Sequence, residues 1–158
     1  MRKGFTLIEV LIVVAIIGII ASLAIVGLAP TQMKGRDARR IGDLRQVQTA
    51  LELCFAKKQQ YPVAGDWATL KTSFTTGNFC EGVGVNNLPN DPKSGQNYYY
   101  TYNSATTPTS YVLAAILEDA NNAAFQGSYS GAYAGNGTAP TSACSAASGT
   151  GKVYCLSL

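Results

Sequence analysis

The chain predicts an α+β fold, and three observations carry that prediction. A helical signal fills about the first sixty residues, antiparallel strand signals appear only after it, and the composition changes where the first gives way to the second. The architecture expected is a long amino-terminal helix, apolar at first and then amphipathic, packed by a small antiparallel sheet. The segments are a basic amino end (residues 1–4), an apolar helix (5–30), its amphipathic continuation (31–60) and a head (61–158). A net charge of +3 with 13% charged residues is too mild for a polyanion-binding protein.

Residues 5–29 form an apolar run whose clearly polar side chains are Thr6, Glu9 and Ser22. As a helix it is roughly 37 Å long, against a hydrocarbon core of ~30 Å, so it is long enough to span a bilayer with some tilt. A cleaved signal peptide would have an apolar stretch of only ~7–15 residues followed by a small-residue cut site, which this chain lacks. Arg2 and Lys3 place the amino end on the cytoplasmic side. Glu9 is the anomaly. A carboxylate inside such a segment is costly and marks a functional position. Gly18, Ser22 and Pro30 are places where the helix could loosen, and the small residues also permit close helix approach.

The sequence Lys3-Gly4-Phe5-Thr6-Leu7-Ile8-Glu9-Val10-Leu11-Ile12-Val13 resembles the amino terminus of type IV pilins and type II secretion pseudopilins, and the likeness runs to about residue 24. The resemblance implies a cut between Gly4 and Phe5 by a prepilin peptidase, and methylation of the new Phe5 amine. It also implies a role for Glu9 in assembly, its carboxylate meeting the amine of a neighbouring subunit. Many type IV pilins carry a proline four residues before Pro30, where this chain has Val26. A loosened stretch, if formed, is therefore expected between residues 18 and 30.

Residues 33–60 read as the continuing helix, with Ala38, Ile41, Leu44, Val47, Leu51 and Cys54/Phe55 as one apolar stripe. Arg36, Arg39, Arg40, Arg45 and Lys57 are read as lying off that stripe. Asp37 and Asp43 stand at pairing distance from neighbouring arginines. Pro62 stops the helix. The cluster Arg36, Arg39, Arg40 suggests nucleic acid, but without an aromatic basic groove it reads as a solvated, headgroup-facing or subunit-facing turn.

The head is poor in charge: after residue 94 only Glu118, Asp119 and Lys152 are charged. Asp66 is placed to cap a short helix. Residues 88–92, Leu-Pro-Asn-Asp-Pro, form a turn-rich loop. Residues 97–102 read as a strand, 109–117 as its partner and 152–157 as a third strand, with 120–151 mostly loop. Tyr98, Tyr100 and Tyr102 share one face and read as core rather than as an adhesive or electron-carrying patch. Asn136-Gly137-Thr138 matches a glycosylation pattern and reads as a turn.

Leu88-Pro89-x-Asp91-Pro92, followed by Gly95 and Tyr98, also resembles the major pseudopilin of type II secretion. That likeness implies a calcium site in the carboxy-terminal loop. No Asp or Glu follows Asp119 here, and calcium normally needs carboxylates, so the balance moves to a surface pilin and no metal is expected. The four cysteines all follow the apolar run, on the exported side, which favours disulfides. Three pairings are open. Cys54 with Cys80 and Cys144 with Cys155 is the expected one, the second closing a short carboxy-terminal loop as in many pilins. Zinc is disfavoured because the chain has no His and no C-x-x-C. No nucleophile elbow and no phosphate loop are present, and Asp91, Glu118 and Asp119 are the only acids placed to converge.

The sequence thus predicts no enzyme and no cofactor, but a subunit, expected to be a major pilin, of a type IV pilus. It would begin as a single-pass inner-membrane protein and end in a cell-surface filament. Its partners would be other copies of itself, the peptidase and an assembly platform in the membrane, with nucleic acid not a direct partner. The alternatives are a pseudopilin of a secretion or DNA-uptake system, and a single-span anchored adhesion or binding protein.

Overall fold

A computed structural model describes residues 4–133, 135–144, 147–148 and 151–158, with backbone only at residues 24–27, 29, 147 and 148. Arg2 and Lys3 of the leader lie outside these. The elements are α1 (Leu7–Lys58), α2 (Trp67–Thr72), β1 (Tyr99–Tyr102), β2 (Tyr111–Leu117), β3 (Asn136–Thr138), β4 (Ala147–Ser148) and β5 (Gly151–Ser157), with a 3-10 turn at Ala123–Gly127. Two compact units, Met1–Gly35 and Arg36–Leu158, divide the chain. The first holds the beginning of α1; the second holds the rest of α1 and the head.

In the first unit α1 starts at Leu7 and is assigned as helix through Pro30 without a break. The loosening expected between residues 18 and 30 is therefore not seen. The side chains of Phe5, Leu7, Ile8, Ile16 and Leu23 are more than half exposed, so this stretch offers apolar surface on every side. Among the described residues no helix is long and apolar enough to cross a membrane. The apolar run counted in the sequence includes residues 24–27 and 29, whose side chains are not described.

In the second unit α1 ends where expected, just before Pro62, through a device the sequence did not announce. Gln59 adopts φ +59°, and its N–H returns to the Phe55 carbonyl at 2.7 Å. This is the left-handed stop more often made by glycine. Asp66 caps α2 as expected, its Oδ1 accepting from the Thr69 N–H at 2.7 Å.

The strands form one antiparallel sheet in the order β3-β1-β2-β5-β4. Tyr99 faces Ala114 across β1 and β2, and Ala114 faces Cys155 across β2 and β5. Alternation along β2 sends Tyr111, Leu113, Ala115 and Leu117 into a core with Leu44, Val47, Leu51 and Cys54 of α1. Val112 and Ala114 go to the opposite face, where Val153, Cys144 and Cys155 cover them. With both faces buried, β2 reads as continuous apolar sequence rather than as alternation. The tyrosines behave as core: Tyr98, Tyr100 and Tyr102 are buried on the helix side, and Tyr99 points away.

Residues 120–151, expected to be mostly loop, contribute the two outer strands. β3 is the pattern-free Asn136-Gly137-Thr138, paired to the edge of β1. Gly137 has φ +91°, and a Cβ there would collide with the Tyr100 carbonyl oxygen. The asparagine of the glycosylation-like triplet is thus strand, not turn.

Cys54–Cys80 and Cys144–Cys155 are disulfides, one on each side of the sheet, and no free cysteine remains among the described residues. The first ties the end of α1 to the loop after α2; the second ties the carboxy-terminal loop to β5. Replacing Cys54 and Cys80 together by Ala is expected to cost about 2–4 kcal/mol. A lowered urea midpoint of the detergent-solubilised chain would register this loss; an unchanged midpoint would show that the bridge contributes nothing.

Candidate functional site

The amino-terminal site is built from Gly4, Phe5, Thr6 and Glu9. Gly4, Phe5 and Thr6 precede the helix, are exposed, and form no regular structure, so the Gly4–Phe5 peptide bond is open to approach. Thr6 is the helix cap. Its N–H donates to Glu9 Oε2 at 2.8 Å, its hydroxyl donates to the same oxygen at 2.7 Å, and the Glu9 N–H donates back to Thr6 Oγ1 at 3.3 Å. This reciprocal pairing over the Thr-x-x-Glu spacing is a capping box. Glu9 therefore does double duty: it holds the first turn and presents the lone carboxylate among exposed Phe5, Leu7, Ile8 and Val10. The sequence reading found Glu9 but missed Thr6; the spacing that reveals it, Thr6 three residues before Glu9, was visible.

A second polar constellation lies in the second unit and corrects the reading of the arginines. Arg40 is not off the buried stripe; it is fully buried, as is Asp37. Its Nε and Nη2 grip Asp91 at 2.8 and 2.9 Å, and its Nη1 reaches Asp37 at 2.8 Å and Glu118 at 2.9 Å. Arg36 closes a second fork on Glu118, both contacts at 2.8 Å, and Lys93 stands 3.5 Å from the same carboxylate. Asp37 also accepts the backbone N–H groups of Glu118 and Asp119. Three cations meet three carboxylates, which is how a buried arginine is tolerated.

The electrostatics follow from this pairing. Hydrogen bonding from Arg36, then from Arg40, pulls the Glu118 carboxyl down to about 2 against the opposing effect of burial. Burial disfavours the Arg40 charge, but Asp91 and Glu118 outweigh it and raise its pKa overall. Burial, reinforced by Glu52, keeps the phenols of Tyr61 and Tyr111 protonated, and burial with Asp43 does the same for Tyr98. Asp91 and Glu118 do converge, but on Arg40: Asp91 with both oxygens, Glu118 with Oε1, while its Oε2 goes to Arg36. Asp37 and Asp43 each stand beside an arginine as expected, Asp43 at 3.7 Å from Arg39. Of the cluster Arg36, Arg39 and Arg40, only Arg39 is largely exposed, which removes most of the cationic surface a polyanion would need. Among the described residues no group of His, Cys, Asp and Glu could hold a metal ion.

Comparison with known proteins finds likeness at the amino terminus and beyond it. Residues 1–25 match the family model described as the prokaryotic N-terminal methylation motif. The type II secretion system core protein G of Vibrio cholerae is 33% identical over 106 residues, 63% of this chain and 72% of that protein. The type IV major pilin protein of Myxococcus xanthus is 41% identical over 60 residues, 38% of this chain and 27% of that protein. The type IV major fimbrial protein of Dichelobacter nodosus is 44% identical over 54 residues, 34% of this chain and 35% of that protein. No solved structure matches the chain. The chain belongs to the family of type IV pilins and type II secretion pseudopilins.

Proposed function

We propose that this chain is a major subunit of a type IV pilus, cut between Gly4 and Phe5 and polymerised through its amino-terminal helix. The observation that carries the reading is the stretch from Phe5 to Leu23: apolar side chains exposed on all sides, with one carboxylate, Glu9, in its first turn. Such a surface needs apolar surroundings. Before assembly these would be inner-membrane lipid, with the run of residues 5–29 as the single span; afterwards they would be the same helices of neighbouring copies. Cleavage leaves Phe5 with a free amine, a cation that a neighbour's Glu9 would neutralise. The carboxy-terminal segment has no acid after Asp119 and is closed by Cys144–Cys155, which favours a surface pilus over a secretion filament. The chain is a building block rather than an enzyme on this reading, and its partners are the peptidase, the assembly platform and other copies.

The second reading, a secretion pseudopilin, has two observations in its favour: the likeness of residues 88–98 to the major pseudopilin, and the length of one match. The match to the Vibrio cholerae secretion protein covers 106 residues, while the two pilin matches cover 60 and 54. Electron microscopy of filaments sheared from the cell surface, with mass spectrometry of their main protein, separates the two. Long filaments of this chain support the pilus. Their absence, together with loss of protein secretion on deletion, would support the pseudopilin.

The cleavage site has its own test. Gly4 is exposed and nothing lies within 4 Å of where its Cβ would be, so Gly4→Val should fold normally. The expected result is a chain that keeps its leader, read by intact mass. A Gly4→Val chain that begins at Phe5 would refute the assigned cut.

A further inference from the structure

The head carries a cavity of about 240 Å³ that assembly through the helix does not use. Four segments wall it: α2 with its cap, the loop at Asn90, the residues leading into β1, and the β3 edge strand. Its aromatic wall is the half-buried Tyr99, with Trp67 and Tyr98 behind it, both buried in the helix-side core. The Trp67 ring is fixed, its N–H donating to the Pro89 carbonyl at 3.0 Å and its face meeting Tyr98 edge-on at 5.2 Å between centroids. Tyr99 is the residue of the tyrosine run that turns away from the helix-side core.

The polar side of the cavity is equally specific. Asn97 is exposed and makes no hydrogen bond among the described residues. Asp66, whose carboxyl is pulled down by its hydrogen bonds to Thr69, brings one negative charge. Lys71 brings one positive charge and donates to Asn90 Oδ1 at 2.8 Å. The Thr138 hydroxyl donates to the Gly65 carbonyl at 2.6 Å and so faces the cavity as an acceptor.

These groups select among ligand classes. The two charges cancel, so neither an anion nor a cation is favoured. A wholly apolar molecule would strip water from Asp66, Asn97 and Lys71 and return no hydrogen bonds. A small ring with hydroxyls on its rim and C–H groups on its face satisfies both walls: hydroxyls donate to carboxylate and amide oxygens, and the C–H face lies on the Tyr99 ring. We propose that this cavity binds a neutral hexose unit of a glycan.

Trp67 is the only tryptophan of the chain and lines the cavity, so its fluorescence is a direct readout. The experiment titrates the full-length chain, solubilised in a detergent without a sugar headgroup. The probes are methyl β-D-galactoside, methyl α-D-mannoside and N-acetylglucosamine, with N-acetylneuraminic acid as the charged comparison. A saturable change with at least one neutral sugar is expected, weakened about five- to tenfold by Asn97→Ala and by Asp66→Asn. Asn caps a helix as well as Asp does, so the second variant keeps α2 intact. No saturable change with any of the three neutral sugars would overturn the proposal. So would binding that both variants leave unchanged, or binding of the acidic sugar as tight as that of the neutral ones. Filament formation is measured separately, so losing this proposal leaves the pilus reading untouched.

Discussion

Replacing Arg40 by methionine is expected to destabilise the head by about 3–5 kcal/mol, the usual cost of removing one partner from a buried ion pair. The packing loss is small because methionine fills most of the volume. The loss comes from the carboxylates left behind. Asp91 is the worst placed: its two contacts with Arg40 disappear, and the Lys93 backbone N–H at 2.8 Å is what stays. Asp37 fares better, because the N–H groups of Glu118 and Asp119 still reach it. Glu118 fares best, because Arg36 still holds it with two hydrogen bonds. This ranking makes the prediction specific. Asp91→Asn added to Arg40→Met should recover part of the loss, whereas Glu118→Gln added to it should recover little. Urea unfolding of these chains, the unaltered one and Asp91→Asn alone checks this, and additive losses for Arg40 and Asp91 would show that the two are not coupled.

The same cluster has a pH signature. Glu118 titrates near 2 in the folded chain, below its ordinary value of 4.5. A carboxyl lowered by folding stabilises the fold above its unfolded pKa, and that contribution is lost as pH falls through the folded one. The Glu118 contribution should therefore be complete at neutral pH and decline between about pH 4.5 and 2. Arg36→Gln removes its principal partner and should shift the decline toward higher pH.

The legibility of the fold in the sequence varied with the physics involved. The helix, its end near Pro62, the α2 cap and the three central strands were readable, because periodicity and turn residues are local signals; the cysteines announced disulfides, but their residues left three pairings open, and the expected one is the one formed. β3 and β4 were not, because Asn136-Gly137-Thr138 has no strand pattern of its own and is held by pairing to β1. Arg40 was missed for a different reason. Asp37, Arg40, Leu44, Val47, Leu51 and Cys54 follow one another at spacings of three and four, so both charged residues are in phase with the buried stripe. A reading keyed to apolar residue type gave those turns to Ala38 and Ile41, and Ala38 is exposed. Periodicity taken alone would put the arginine on the buried side; hydrophobicity puts it outside, because a buried arginine is tolerated only when distant acids such as Asp91 and Glu118 arrive with the fold.

Glu9→Val is expected to leave the chain at normal level in the membrane and to reduce surface filaments by more than tenfold. In an assembled filament each Phe5 amine would lie among apolar helices, and breaking a buried pair costs about 3–5 kcal/mol, which is more than a hundredfold in the incorporation of each subunit. The capping box complicates a simple reading of that variant. Valine removes the negative charge and also the acceptor for the Thr6 N–H, so a frayed first turn would give the same loss. Glu9→Gln separates the two causes. Glutamine in this position still completes a capping box with Thr6, but it carries no charge. If charge pairing drives docking, Glu9→Gln should fail to assemble as Glu9→Val does, while a helix starting at Leu7 is kept in both Glu9→Gln and the unaltered chain. Thr6→Ala supplies the converse: it removes the cap and keeps the carboxylate, and its filaments should persist at a level much nearer to normal. Filament counts by electron microscopy, beside immunoblots of the membrane fraction, read all three variants. Normal filaments from Glu9→Gln together with loss in Thr6→Ala would assign Glu9 to helix capping and remove it from the contact between subunits.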